Sequence, residues 1–178
     1  RYLTYHDGTP FFWLGDTWWF VPTRDFPYEG SSVDRFKSMY QLVTRLRSEQ
    51  GFNVVHCAFL GEKPGFHTEG MHDKEVFLKP GRWTEDAVDF WKRADRYFLY
   101  ANRSEIILSI GLLWTWDLEQ LEWKAEDVLD AFRYVQARYG SYHILWYLVA
   151  EYNAVSPEIT QEHLKVGAAV REFDPYAS

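Results

Sequence analysis

Residues 139–158 read YGSYHILWYLVAEYNAVSPE, and this stretch holds a helix end, a strand and a helix start in succession. Gly140 is placed to stop a helix. Ile144 to Val149 is a continuous apolar run without alternation, the pattern of a strand covered on both faces. Glu151, Tyr152 and Asn153 follow it directly. Ser156-Pro157-Glu158 then marks a helix start, since Ser accepts a backbone N–H, Pro fits the first turn and Glu suits the positive end. The link into the strand is short, and the polar groups gather at the end where the strand leaves.

The same unit recurs towards the N-terminus. Residues 11–15 are a short apolar run ending before Asp16, and residues 32–50 read as a helix with Phe36, Tyr40, Val43 and Leu46 on one face, capped by Gly51. Residues 52–60, FNVVHCAFL, are a second buried strand. Thr84 is placed to N-cap the next helix, where Ala87, Trp91, Ala94, Phe98 and Ala101 share a face. Residues 106–113 form the third strand. Residues 125–139 form a helix with Val128, Phe132, Val135 and Tyr139 inward. The last helix runs from Ser156 to about Phe173 and stops before Pro175.

The order β-α-β-α-β-α-β-α implies a parallel sheet covered by helices. Helix-to-strand links are tight, whereas strand-to-helix links are long (residues 17–31, 61–83 and 115–124). Long loops at the C-terminal ends of parallel strands build a site there, in open sheets and barrels alike. An open doubly wound sheet fits this order, but no glycine-rich phosphate loop follows the first strand. The reading favoured is the N-terminal half, four βα units, of a (β/α)8 TIM barrel, with residues 1–178 one partial catalytic domain. A full barrel takes roughly 250 residues. Half of one leaves two strand edges unpaired, so the chain is expected to be incomplete.

Composition narrows the function. Charged residues make up 25% and the formal net charge is −7, with no basic stripe, which argues against nucleic acid and against an anionic membrane surface. No apolar run reaches membrane-spanning length. Cys57 is the sole cysteine, so no internal disulfide forms. The chain begins at Arg1 and shows no signal peptide, as expected of an excised piece. Aromatic residues reach 19%, a surplus that serves either a sugar-stacking cleft or a Trp-rich core.

The strand ends supply the candidate chemistry. Glu151 follows the apolar run ILWYLVA. An apolar setting disfavours a charged carboxyl and raises its pKa, which suits a general acid. An exposed or Arg-paired glutamate is the plainer alternative. Asp16 suits sugar hydroxyls, or else orients Arg24 or caps its loop. His56 lies within a strand, where alternation decides whether it faces the interior; it is a substrate-binding or a structural histidine. Trp18, Trp19, Trp114 and Trp116 are stacking platforms or packing, and Tyr152 and Asn153 join the substrate-binding set. The run from His67 to Asp73, HTEGMHD, has metal-capable side chains but neither HExxH nor EF-hand spacing, so no metal and no cofactor is expected. Ser109, Ser141 and Cys57 lack a nucleophile-elbow setting.

A family resemblance extends this reading. YLTYHDGTPFFWLGDTW (residues 2–18) resembles the start of the apiosidase-like glycoside hydrolase domain. QGFNVV (50–55) resembles its second strand, IGLLWTW (110–116) its third, and RYG (138–140) with ILWYL (144–148) its approach to the fourth. The likeness spans essentially the whole chain, and DGTPFFWLGDT is its most specific segment. It implies the clan of retaining (β/α)8 glycosidases, with the acid/base after strand four and the nucleophile after strand seven. Glu151 matches the acid/base position. The family often has Asp there, and the clan commonly has Asn where this chain has Ala150, which bears on substrate more than on reaction class. The resemblance implies a plant or algal polysaccharide or oligosaccharide as substrate and a periplasmic or secreted location.

Retaining hydrolysis needs a second carboxyl about 5–5.5 Å from the first, and no residue here holds the nucleophile position. The chain alone is therefore expected to be inactive and to need the C-terminal half of the barrel, in the same or another chain. A non-catalytic carbohydrate-binding half-barrel is the competing reading. An open-sheet enzyme acting on a small acid or a nucleotide is the weakest.

Overall fold

The computed structural model describes residues 3–18, 21, 28, 39–58, 85–113, 124–150 and 152–174. Among them lie four strands, β1 (Gly15–Thr17), β2 (Val54–Ala58), β3 (Ile107–Leu113) and β4 (Ile144–Val149). Four α-helices alternate with them, α1 (Tyr40–Glu49), α2 (Glu85–Arg103), α3 (Ala125–Tyr139) and α4 (Pro157–Phe173), and a 3-10 turn, Tyr152–Ala154, precedes α4.

The strands pair in parallel in the order β1-β2-β3-β4. Each crossover advances one strand in the same direction. Right-handed crossovers that never reverse leave every helix on one face of the sheet. Side-chain parity agrees. Val55 and Cys57 of β2, Leu108 and Ile110 of β3, and Ile144 of β4 enter the helix-packed core, with Trp146 and Leu148 packed against it. The alternate residues point to the opposite, inner face. A doubly wound sheet would reverse its strand order and cover both faces, so this winding is that of a (β/α)8 barrel.

Local chemistry accounts for the boundaries. Gly51 has φ +86°, and the N–H of Phe52 returns to the carbonyl of Arg47 at 3.0 Å, so the glycine ends α1 as its position suggests. The Asp127 carboxylate accepts the Lys124 backbone N–H at 3.0 Å at the start of α3. Ser156 Oγ accepts the Ile159 N–H at 3.4 Å ahead of Pro157, opening α4 where expected. Residues 32–38, read as the first part of α1, and Thr84 lie outside the described residues.

The first strand differs from expectation, running Gly15–Thr17 rather than over residues 11–15. Phe11 and Pro10 belong instead to a preceding turn, in which Thr4 bridges Pro10 and the Phe11 N–H bonds to Leu3. Asn53 then clamps the link, accepting the Leu14 N–H at Oδ1 (3.0 Å) and donating Nδ2 to the Phe12 carbonyl (2.6 Å). A side chain satisfies backbone groups that a ladder would otherwise pair, so the strand begins only at Gly15 opposite Val54.

Much of the aromatic surplus lies in the core. Trp91, Tyr40, Tyr97, Tyr139 and Phe98 are fully buried, and burying each such ring contributes about 2 kcal/mol. Tyr40 packs on Tyr97 (4.3 Å between centroids) and donates its hydroxyl to the Tyr97 carbonyl at 2.9 Å. Phe98 stacks on Tyr139 at 4.0 Å. Tyr139 and Arg138 both donate to Asp95, which ties α3 to α2.

Candidate active site

The inner face brings together residues from all four described strands. His56 of β2 is opposite Ser109 of β3, and Thr17 of β1 is opposite His56. His56 Nδ1 lies 3.2 Å from Ser109 Oγ. The Tyr147 ring of β4 stacks on the imidazole at 4.3 Å with 17° between planes, and its hydroxyl donates to the Cys57 carbonyl at 3.0 Å. Tyr147 crosses the strand between them at Gly111, where any Cβ would come within 2.1 Å of the phenol ring. The glycine is thus a space requirement. Burial pushes the Tyr147 phenol upward, so it stays a protonated donor. Burial also lowers the His56 pKa, favouring the neutral ring.

Asp16 lies on the other face. Its register partner is Val55, a core residue, so the carboxylate points to the helix layer. There Oδ2 accepts from Arg47 Nε at 2.5 Å and from Trp18 Nε1 at 3.1 Å, while Oδ1 accepts the Thr17 N–H at 2.9 Å. Burial pushes the Asp16 pKa up, but the hydrogen bonds from Arg47, Trp18 and Thr17 outweigh it and hold the carboxyl below its usual range. Asp16 thus orients Arg47 on α1, while Arg24, the arginine named in the sequence, lies outside the described residues. Trp18 packs its edge on Tyr40 at 5.9 Å against the core. Cys57 is buried on the helix side, and its thiol is pushed up to about 12 by burial, which makes it a poor nucleophile.

At the C-terminal end of β4, Asn153 is exposed in the turn Tyr152–Ala154. Glu151, Trp19, Trp114 and Trp116 lie outside the described residues, as does the loop from His67 to Asp73. Among the described residues no three His, Cys, Asp or Glu side chains converge to hold a metal ion. Sequence reasoning missed Thr17, Ser109, Gly111 and Tyr147 as companions of His56. The available signal was parity, because once His56 is placed inward, parallel register places its neighbours. Gly111 inside an apolar strand was the second cue.

One-way winding of parallel strands with helices on one face defines part of a (β/α)8 barrel, and solved structures agree on the fold. A glycoside hydrolase family 5 protein from Bacteroides vulgatus superposes with a TM-score of 0.67 at 21% identity, over 98% of this chain and 36% of its own. A protein described as a glycoside hydrolase gives 0.71 at 18% identity, over 98% and 37%. A second Bacteroides vulgatus protein, described as a putative glycoside hydrolase, gives 0.61 at 19%, over 99% and 35%. This chain therefore spans about a third of these structures and corresponds to the N-terminal half of their barrel. The chain belongs to the apiosidase-like catalytic domain family, whose profile matches residues 1–177. No curated protein matches it.

Proposed function

We propose that this chain is the acid/base half of a retaining glycosidase acting on a plant or algal polysaccharide or oligosaccharide. Glu151 protonates the leaving oxygen and then, as the base, activates water. The nucleophile comes from the C-terminal half of the barrel, in the same or another chain, and residues 1–178 alone do not turn over substrate. Family membership over residues 1–177 is the observation that carries this reading. Position supports the assignment of Glu151. In the chain it follows Val149, the last residue of β4, by two positions, at the end of a parallel strand where such folds place their chemistry. His56 and Asn153 remain on the substrate side of the proposal, with Trp19, Trp114, Trp116 and Tyr152. Asp16 and Trp18 contribute through the Arg47 cluster that shapes the end of β1.

The test is leaving-group dependence in the complete barrel. Glu151→Gln is expected to slow a glycoside with a poor, alkoxide-type leaving group by roughly 10²–10⁴-fold. An activated aryl glycoside, which departs without a proton, is expected to glycosylate the enzyme at nearly the wild-type rate. Equal loss on both substrates would remove Glu151 from the acid role.

A further inference from the structure

The inner face carries a feature that acid/base chemistry at Glu151 does not use. Thr17 and His56 are register partners, so both side chains leave the sheet on that face. Neighbouring strands lie about 4.8 Å apart. Two polar groups at that separation can converge on adjacent oxygens of one ring. Thr17 ends β1 and is exposed, and its N–H is held by Asp16, which Arg47 holds in turn. His56 is held from two sides, by the Ser109 hydroxyl at Nδ1 and by the Tyr147 ring on its face. Tyr147 is itself anchored to the Cys57 carbonyl and has room only because residue 111 is glycine. A middle layer of a barrel is ordinarily filled by branched apolar side chains. Here the row runs His56, Ser109 and Leu145, with the Tyr147 ring laid over the imidazole, so an imidazole and a buried serine stand where two apolar side chains are usual, which suits an uncharged, hydroxyl-bearing ligand.

We propose that Thr17 and His56 form a two-point clamp for a vicinal diol of a sugar ring, with Ser109 and Tyr147 as positioning residues that hold His56 in one tautomer and one ring plane. The clamp rests on the carbohydrate reading above and names the part of the substrate that this face takes.

The test uses the complete barrel labelled with ¹⁵N-histidine and reads the His56 ring nitrogens by NMR, which needs no turnover. Wild type is expected to show one neutral tautomer, and Ser109→Ala a mixture. D-Xylose and cis-cyclohexane-1,2-diol are expected to move the His56 ring signals, and cyclohexane-1,3-diol to do so only weakly. Thr17→Val is expected to weaken the D-xylose response about fivefold, the worth of one neutral hydrogen bond, and Thr17→Ser to restore it. Thermal unfolding of each variant identifies any that fails to fold, and the Thr17→Ser and Thr17→Val pair keeps the comparison within one fold. His56 signals that ignore both diols, an unchanged tautomer in Ser109→Ala, or a Thr17→Val response equal to wild type would each overturn the clamp. Hydrolysis that ignores Glu151 beside an intact diol response removes the glycosidase reading alone and leaves the clamp standing. Glu151-dependent hydrolysis beside a silent His56 removes the clamp alone.

Discussion

Gly111 and Tyr147 show how a single residue sets the inner face. The phenol ring occupies the space a side chain at 111 would need, with a Cβ at 2.1 Å from its Cζ. Gly111→Ala must therefore push Tyr147 off His56 or bend β3. Overpacking of this kind costs about 1–3 kcal/mol. Chemical denaturation of Gly111→Ala should show that loss, and the same change made in a Tyr147→Ala background should cost much less, because the colliding ring is gone. Additive losses in the double variant would mean the collision is not the cause. Asp16 offers a residue-scale prediction in pH. Its folded pKa is depressed, so its stabilising share is complete above the unfolded value of about 3.9 and is lost as pH falls through the lower folded pKa. The stability gap between wild type and Asp16→Asn should hold steady from neutral pH down to that range and shrink below it. A gap that closes already near pH 6 would point to another group.

At the scale of elements, the strands and helices were legible because their periodicities are strong. β4 and α3 fall on the expected residues, and Ser156-Pro157 opens α4 as read. β1 was not legible, because what delays it is a distant side chain. Asn53, held against residues 12 and 14, satisfies the backbone that an apolar run alone would assign to a strand. The candidate site divides in the same way. His56 was identifiable as a strand histidine, yet its face and companions depend on inter-strand register, which no single strand carries. Asp16 stands at a strand end, where it suits sugar hydroxyls, an arginine or its own loop, and the arginine it meets, Arg47, lies on another element, 31 positions along the chain, which no local pattern announces. The α2–β3 link holds a comparable device. Glu105 takes φ 59°, a left-handed conformation that costs a non-glycine residue about 1 kcal/mol. Asn102 anchors the turn by donating to the Ile106 and His143 carbonyls and accepting the His143 N–H at 2.7 Å. Glu105→Gly should leave the melting temperature unchanged or higher, while β-branched Glu105→Val should lower it. Calorimetry on the two variants checks the sign, and a lower value for glycine would mean the Glu105 side chain itself stabilises the turn.

At the scale of the whole molecule, the decisive property is that the four described strands wind in one direction and leave two edges among them. β1 and β4 each pair with one strand among the described residues. Apolar surface accompanies both ends. Phe12 and Trp13, next to β1, are 75% and 44% exposed, and Leu164 on α4 is 59% exposed. A closed barrel removes such edges by pairing the last strand with the first. The related structures are nearly three times as long as the region that matches this chain. Residues 1–178 expressed alone should therefore self-associate and bind a hydrophobic dye, while a chain that adds the C-terminal half of the barrel should sediment as one discrete species with little dye binding. Leu164→Glu separates the two situations. It should reduce self-association of residues 1–178, where Leu164 faces water, and should destabilise the complete barrel by about 1–3 kcal/mol, where the next βα unit covers that position. Sedimentation velocity and denaturant unfolding of the two lengths, with and without the substitution, read both effects. A monomeric, dye-silent residue 1–178 chain that tolerates Leu164→Glu would mean the half-barrel is a finished unit and that the nucleophile must arrive on a partner without strand pairing.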